Sequence, residues 1–328
     1  MKKIPTKKRF FSLHNKCGLR LDFWRTFLIK HNYGNCIAFE RFQDLILIGF
    51  ESKVVLGHLK IDEEQSLELD ILAEFTLKSR CCSLTFSPET STSILPNNII
   101  FAAACKDYKV RVFRSDLRGS DVCKVLSEHN SYINDVKFDP DNNFLVSVSD
   151  DNTAKLWDTT DFQCVVTLQL TSPGMSVCWH KDDGSKLLIA EKIGLIRFYN
   201  VETQNPILSL DYGKPLACAH WAPSDSQLVA SLQLGELLIW DLSKPCVPAS
   251  NTLVFTEAGG FVRFNSFGNL VAAINSLDST LKIVDCQINQ MKLSVPVTLP
   301  SNVSWHCRYP IVCVGDYMTL TFWKVVSK

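Results

Sequence analysis

Two bulky residues recur in step along this chain. One set, Phe39, Phe86, Phe138, Trp179, Trp221, Phe264 and Trp305, ends a short apolar stretch; a second, Phe113, Trp157, Phe198, Trp240, Val284 and Trp323, closes a later one. In the second set neighbours stand 44, 41, 42, 44 and 39 residues apart, the spacing of a repeat architecture, and the first set keeps step with it. Random apolar patterning does not hold two separate marks in phase over most of a chain. An Asp recurs six residues before the second mark at Asp107, Asp151 and Asp278, and another follows it at Asp158, Asp241 and Asp285. Between the marks lie strand-length apolar runs such as 45–50 and 99–105, bounded by turn residues. Each period is one small antiparallel sheet that cannot bury its own faces. Stacked around an axis, every sheet buries them against two neighbours.

The clearest period runs from His129 to Asp158, HNSYINDVKFDPDNNFLVSVSDDNTAKLWD. A leading His, a Phe-x-Pro turn, an Asp in the next tight turn and a closing Trp-Asp resemble one blade of the WD-repeat family. His129, Ser147, Asp151 and Trp157 are expected to form a buried chain of hydrogen bonds running from His through Ser and Trp to Asp. Such a network replaces lost solvent contacts and locks the blade, so these residues are structural and not a catalytic triad. Counting both marks gives seven blades, the first degenerate around 45–59. The expected fold is all-β, a seven-bladed WD-repeat β-propeller closed by an N-terminal strand.

The closing strand is expected from the chain's opening segment. Too few residues follow Trp323 for a turn and a fourth strand, so the seventh blade needs one from elsewhere. Residues 18–30, GLRLDFWRTFLIK, alternate large apolar and polar groups and are expected to pair with 318–326, leaving no long open edge. Leu21, Trp24 and Phe27 also fit a helical stripe, the competing reading. The expected division is a basic extension at 1–17 and the propeller at 18–328.

Composition narrows the function classes. Apolar residues make up 46% of the chain, ample for a large core, and no apolar run reaches membrane-span length. Thirteen cysteines, an odd number with no C-x-x-C pair, read as reduced thiols rather than a disulfide framework. No secretory signal is expected, for want of an apolar core in the opening segment. Net charge is zero, but residues 1–30 hold nine basic residues against Asp22 alone. The rest is acidic on balance, which argues against a duplex-DNA surface. The tail KKIPTKKRF reads as an import signal, a phosphate-contacting arm, a presequence or a solvated extension.

No enzyme motif stands out. G-x-x-x-x-G-K-[ST], G-x-S-x-G and H-E-x-x-H do not occur. His180, His220 and His306 each sit beside a Trp, but they belong to different blades and are expected on opposite blade faces, so no metal site and no cofactor is expected.

A more specific resemblance lies in SPGMSVCWH (172–180), AEKIGLIRFYN (190–200), ILSL (207–210) and AHW (219–221), with INDVKFDP (133–140), RVFRSDL (111–117) and SWHCRYPIVCVGD (304–316). These resemble the 37-kDa nucleoporin family of the Y-shaped outer-ring complex of the nuclear pore. The resemblance implies a non-enzymatic scaffold that docks on the 160-kDa nucleoporin and other Y-complex subunits, supports nucleocytoplasmic transport, and visits kinetochores in dividing animal cells. It implies no small-molecule substrate, no membrane insertion and no sequence-specific nucleic acid. Two rival readings stand beside it: a WD-repeat reader of histone tails or degrons, and a vesicle-coat-type propeller. Blade register places Tyr33, Arg80, Tyr132, Asn134, Asp150 and Met175 around one mouth of the ring, where Tyr and Arg make plausible anchors. The alternatives are ordinary solvated loop residues, and for Met175 packing under its own loop.

Overall fold

A computed structural model of the 328-residue chain describes strands at 6–7, 12–14 and 19–28 and residues 36–40, 44–61, 67–316 and 319–327. Every regular element among the described residues is a strand. Six four-stranded antiparallel sheets span 36–76, 81–126, 133–169, 174–211, 216–253 and 261–296, with strands pairing in chain order. The seventh begins with Asn302–Trp305, Ile311–Asp316 and Thr319–Ser327 and is completed by Leu19–Leu28. The fold is a seven-bladed β-propeller.

The closing pair runs antiparallel from Leu19 opposite Ser327 to Leu28 opposite Thr319, with a bulge between Phe23 and Arg25. Short strands Thr6–Lys7 and Ser12–His14 pair with the other edge of Leu19–Leu28. The helical alternative is overturned. A free sheet edge on Thr319–Ser327 offers this segment a full ladder of partners for its backbone, while a helix would leave that edge open.

Seven buried apolar clusters form the core, one at each seam between neighbouring blades. The seam joining blades seven and one holds Phe27, Ile37, Ile46, Val55, Ile311 and Phe322. The N-terminal strand is thus bonded to the last blade and packed against the first. With apolar seams all the way round, no blade has an unburied face.

The first mark stands at the end of the innermost strand, from Phe39 to Trp305, or one residue before it in blade four, where the strand runs on to His180. The second sits on the third strand and packs toward the preceding blade, as Trp157 does in the seam of blades two and three. In blade four the assigned residue needs correction. Leu187 pairs with both Trp179 and Tyr199, whereas Phe198 pairs with Leu188. Tyr199 packs toward blade three and Phe198 toward blade five, so Tyr199 is the closing residue. Blade one carries Gly57 there, opposite Ile46, the partner of Phe39. A Cβ at Gly57 would stand 2.6 Å from Leu69 Cδ1, so neighbouring side chains already occupy the space of the usual aromatic. That explains the degenerate appearance of this blade.

Candidate functional site

Blade three carries the hydrogen-bonded network in full. Trp157 Nε1 donates to Ser147 Oγ at 2.9 Å, His129 Nε2 meets the same oxygen at 2.8 Å, and His129 Nδ1 meets Asp151 Oδ2 at 2.8 Å. The order is Trp–Ser–His–Asp, not the expected His–Ser–Trp–Asp. Ser147 lies on the second strand within reach of both rings, while Asp151 stays in its turn, where it accepts from the Asn130 amide at 3.0 Å. Burial depresses the His129 pKa despite Asp151 beside it. Burial alone would raise Asp151, but the Thr153 hydroxyl, the Asn130 amide and His129 hold it below the usual carboxylate range. Trp157 and Ser147 are shut off from solvent. With its groups satisfied by one another and no accessible nucleophile, the network braces the blade.

The same device is rebuilt elsewhere with other residues. Asp278 accepts from the Thr256 amide and hydroxyl, and Trp240 Nε1 donates to Ser231 Oγ at 3.0 Å. Asp107 instead forms a bidentate pair with Arg111. In blade four, where Pro-Gly-Met replaces a His-bearing loop, Glu191 accepts from the amides of Thr171 and Ser172 at 2.7 and 2.9 Å and pairs with Arg197.

The structure brings together only part of the expected contact set. Asn134 Nδ2 donates to Asp150 Oδ1 at 2.7 Å and to the Gly174 carbonyl at 2.8 Å, which ties blade three to blade four. The Tyr132 carbonyl accepts from the Asp150 amide, and its exposed ring stands edge-on to Tyr108 at 5.1 Å. Tyr108 was missed from sequence; it holds a left-handed φ of 64° in the neighbouring turn. Arg80 is exposed at the same mouth, its carbonyl accepting from the Lys106 amide. Met175 is half-buried against the seam of blades four and five. Tyr33 lies outside the described residues.

The opposite mouth holds a hollow. A channel of about 660 Å³ runs between the inner strands and opens among their C-terminal ends, and a second chamber of about 550 Å³ lies beside it with Phe39, His220, Arg263 and Ser304 in common. The residue before each inner aromatic faces this channel, Thr85, Lys137, Cys178, His220, Arg263 and Ser304 among them. That offset was the signal in the sequence, but only the aromatic beside it was read.

The three Trp-adjacent histidines share one role. His180 stands edge-on to Trp221 at 5.1 Å, His220 lies 6.1 Å from Phe264, and His306 lies 5.4 Å from Phe39. Each leans on the inner aromatic of the next blade, so the expected split onto opposite faces is overturned. Among the described residues, no three His, Cys, Asp or Glu side chains gather closely enough to hold a metal. The described cysteines are all free thiols.

Residues 120–158, blade three with the last strand of blade two, match the family model of the WD domain, G-beta repeat. A propeller with this repeat and this bracing network is a WD-repeat protein. Along its length the chain is 33% identical to Nucleoporin Nup37 of Drosophila melanogaster, covering 89% of this chain and 90% of the fly protein. It is 34% identical to Nucleoporin Nup37 of Mus musculus and 33% identical to that of Homo sapiens, in each case over 89% of this chain and 94% of the relative. The chain belongs to the Nup37 family of nucleoporins.

Proposed function

We propose that the ring is a non-enzymatic scaffold subunit of the Y-shaped outer-ring complex of the nuclear pore, docking on the 160-kDa nucleoporin and supporting pore assembly and transport. The observation that carries this reading is likeness to the Nup37 nucleoporins along nearly the whole propeller, rather than over one repeat that any WD protein would share. A rigid disc that presents loops at two mouths and strand edges around its rim suits simultaneous contact with several partners. The polar groups of blade three are spent on holding the blade, which accords with a role in holding neighbours.

The test is a tagged chain expressed in its own cells. Affinity purification at mild salt should recover the 160-kDa nucleoporin with other outer-ring subunits, and fluorescence should outline the nuclear rim in puncta. Endosomal or reticular labelling with coat subunits in the eluate would replace this reading with the vesicle-coat one.

A further inference from the structure

Two cations on the channel wall are treated very differently. Lys137 Nζ is held by Asp135 at 2.9 Å, and that buried carboxylate is further fixed by Ser83 at 2.6 Å and the Val177 amide at 3.2 Å. Arg263 has no such partner. Its hydrogen bonds among the described residues both leave from Nη1, to Cys218 Sγ at 3.0 Å and the Val262 carbonyl at 2.8 Å. Trp305 Nε1 donates to the Arg263 carbonyl at 2.9 Å, which fixes the backbone beneath it. The remaining guanidinium edge is left for the chamber that Arg263 lines. Asp135 acts on Arg263 only as a charge at a distance.

The groups beside Arg263 are donors. His220 Nδ1 accepts from the Phe264 amide at 3.2 Å, which puts its proton on Nε2. Burial, then the charges of Arg263 and Lys137, keep this imidazole neutral, so it offers an N–H without adding charge. On the other side stands the Ser304 hydroxyl, and the outer wall adds Lys181 and Arg308. Arg308 is tied to Asp44, while the exposed Lys181 stands 3.6 Å from the Asp182 carboxylate. The channel's carboxylates, Glu40 and Asp139, stand on blades one and three, and the lining of the chamber contains no acid. A guanidinium fork with unmet donors, flanked by two neutral donors and sheltered from bulk water, fits an oxyanion.

We propose that this chamber is an oxyanion site that takes a carboxylate or phosphoryl group carried on a segment of a partner protein. The apolar walls of Phe39, Pro223 and Trp305 favour a carried group over a free ion. A bare phosphate would leave those walls wet, whereas a side chain and its backbone fill them. The site stands on its own geometry and does not depend on which nucleoporin the ring docks on.

The test titrates the full chain against three fluorescent peptides: a short glutamate-rich one, a copy with phosphoserines in place of the glutamates, and a glutamine copy. Inorganic phosphate serves as competitor. Saturable binding of the glutamate or phosphoserine peptide is expected, weakened at least tenfold by Arg263→Gln and also by rising salt. Which of the two binds identifies the group. Equal binding of the glutamine copy, binding of inorganic phosphate alone, or an Arg263→Gln titration that matches wild type would overturn the proposal. If Arg263→Gln fails to fold, Ser304→Ala and His220→Gln are read in the same titration. Unchanged affinity in both counts against the site.

Discussion

Phe27 and Phe322 meet edge to face with ring centroids 5.6 Å apart, joining the two ends of the chain inside the seam of blades seven and one. Phe27 is 2% exposed and Phe322 is fully enclosed. The contact lies on strands already hydrogen-bonded along their length, so backbone pairing and ring burial close the wheel together. Closing it removes the one pair of edges that an open stack of blades would leave for other chains.

Removal of residues 1–30 deletes both the closing strand and Phe27, and it should destabilise the whole ring. Removal of 1–12 leaves the closing pair intact and should matter little. Phe27→Ala alone should cost ~3–5 kcal/mol, the range for a large aromatic taken from a packed core. Denaturant unfolding of the three variants checks this. Equal stability of the two truncations would show that the seam does not need its N-terminal strand.

Trp157→Ala should cost on the order of 3–5 kcal/mol, since it opens a cavity between blades two and three and strips Ser147 of a donor. Ser147→Ala should cost less, about 1–3 kcal/mol, because it leaves two ring nitrogens to find other partners. An unchanged melting temperature for Trp157→Ala would sink the bracing role of the network.

Stability should fall as pH drops through the histidine range. Burial lowers the pKa of His129, His220 and His306 in the folded ring, while the unfolded chain titrates near 6.5. Above that value both states leave these imidazoles neutral and the folded ring keeps its full stability. Below it the unfolded state binds more protons, so each step toward acid favours unfolding. Asp139, raised by burial, works in the opposite sense, as one group against three. Melting temperature should therefore decline between pH 7.5 and 5.5, and less steeply in His220→Gln. A flat profile would mean that the imidazoles are solvated.

How much of this was legible in the sequence depends on what a period can encode. Blade count, inner strands and clasp were readable because burial against neighbours on both sides repeats the same apolar demand in every blade. The closing residue of blade four was not, because Phe198 and Tyr199 are adjacent aromatics on a strand buried on both faces. Alternation cannot choose between them when neither face is wet, and a slip of one residue exchanges the faces. Spacing also brought His129, Ser147, Asp151 and Trp157 together but gave the wrong order, since that depends on how far each side chain reaches. Arg263 escaped notice for a further reason: its meaning lies in a missing partner, and an unpaired charge is visible only once every neighbour has been placed.

Thiol reactivity should sort the cysteines by seam. The thiolate is the reactive form, and burial raises Cys81 and Cys313 well above their usual pKa and Cys178 to about 11. Cys246 and Cys123 are exposed, although partial burial raises Cys123 somewhat. Among the described cysteines, alkylation of the native protein at mildly basic pH should label Cys246 first and Cys123 after it. Cys81, Cys178 and Cys313 should react only after denaturation. Mass spectrometry of a labelling time course reads the order, and fast native labelling of Cys313 would contradict the closed seam.

Gly174→Ala tests why blade four opens with Pro-Gly-Met. An added Cβ would stand 2.8 Å from Val148 Cβ and 3.0 Å from Leu170 Cδ1. Leu170 can swing aside, but Val148 Cβ is fixed to the second strand of blade three and cannot yield without moving that strand. The Gly174 carbonyl is also held by Asn134 Nδ2 at 2.8 Å, so the new methyl cannot escape by sliding outward without breaking that link. The expected cost is ~1–3 kcal/mol, the range for overpacking. Gly213→Ala is the contrast: its Cβ meets nothing within 4 Å but its φ is +70°, so about 1–2 kcal/mol of left-handed backbone strain is expected and no packing loss. The two origins separate in a second measurement. Gly174→Ala should raise hydrogen exchange across the strands of both blades three and four, while Gly213→Ala should leave exchange in blade three unchanged. Identical exchange maps for the two variants would show that the seam tolerates the methyl and that close approach is not what this glycine supplies.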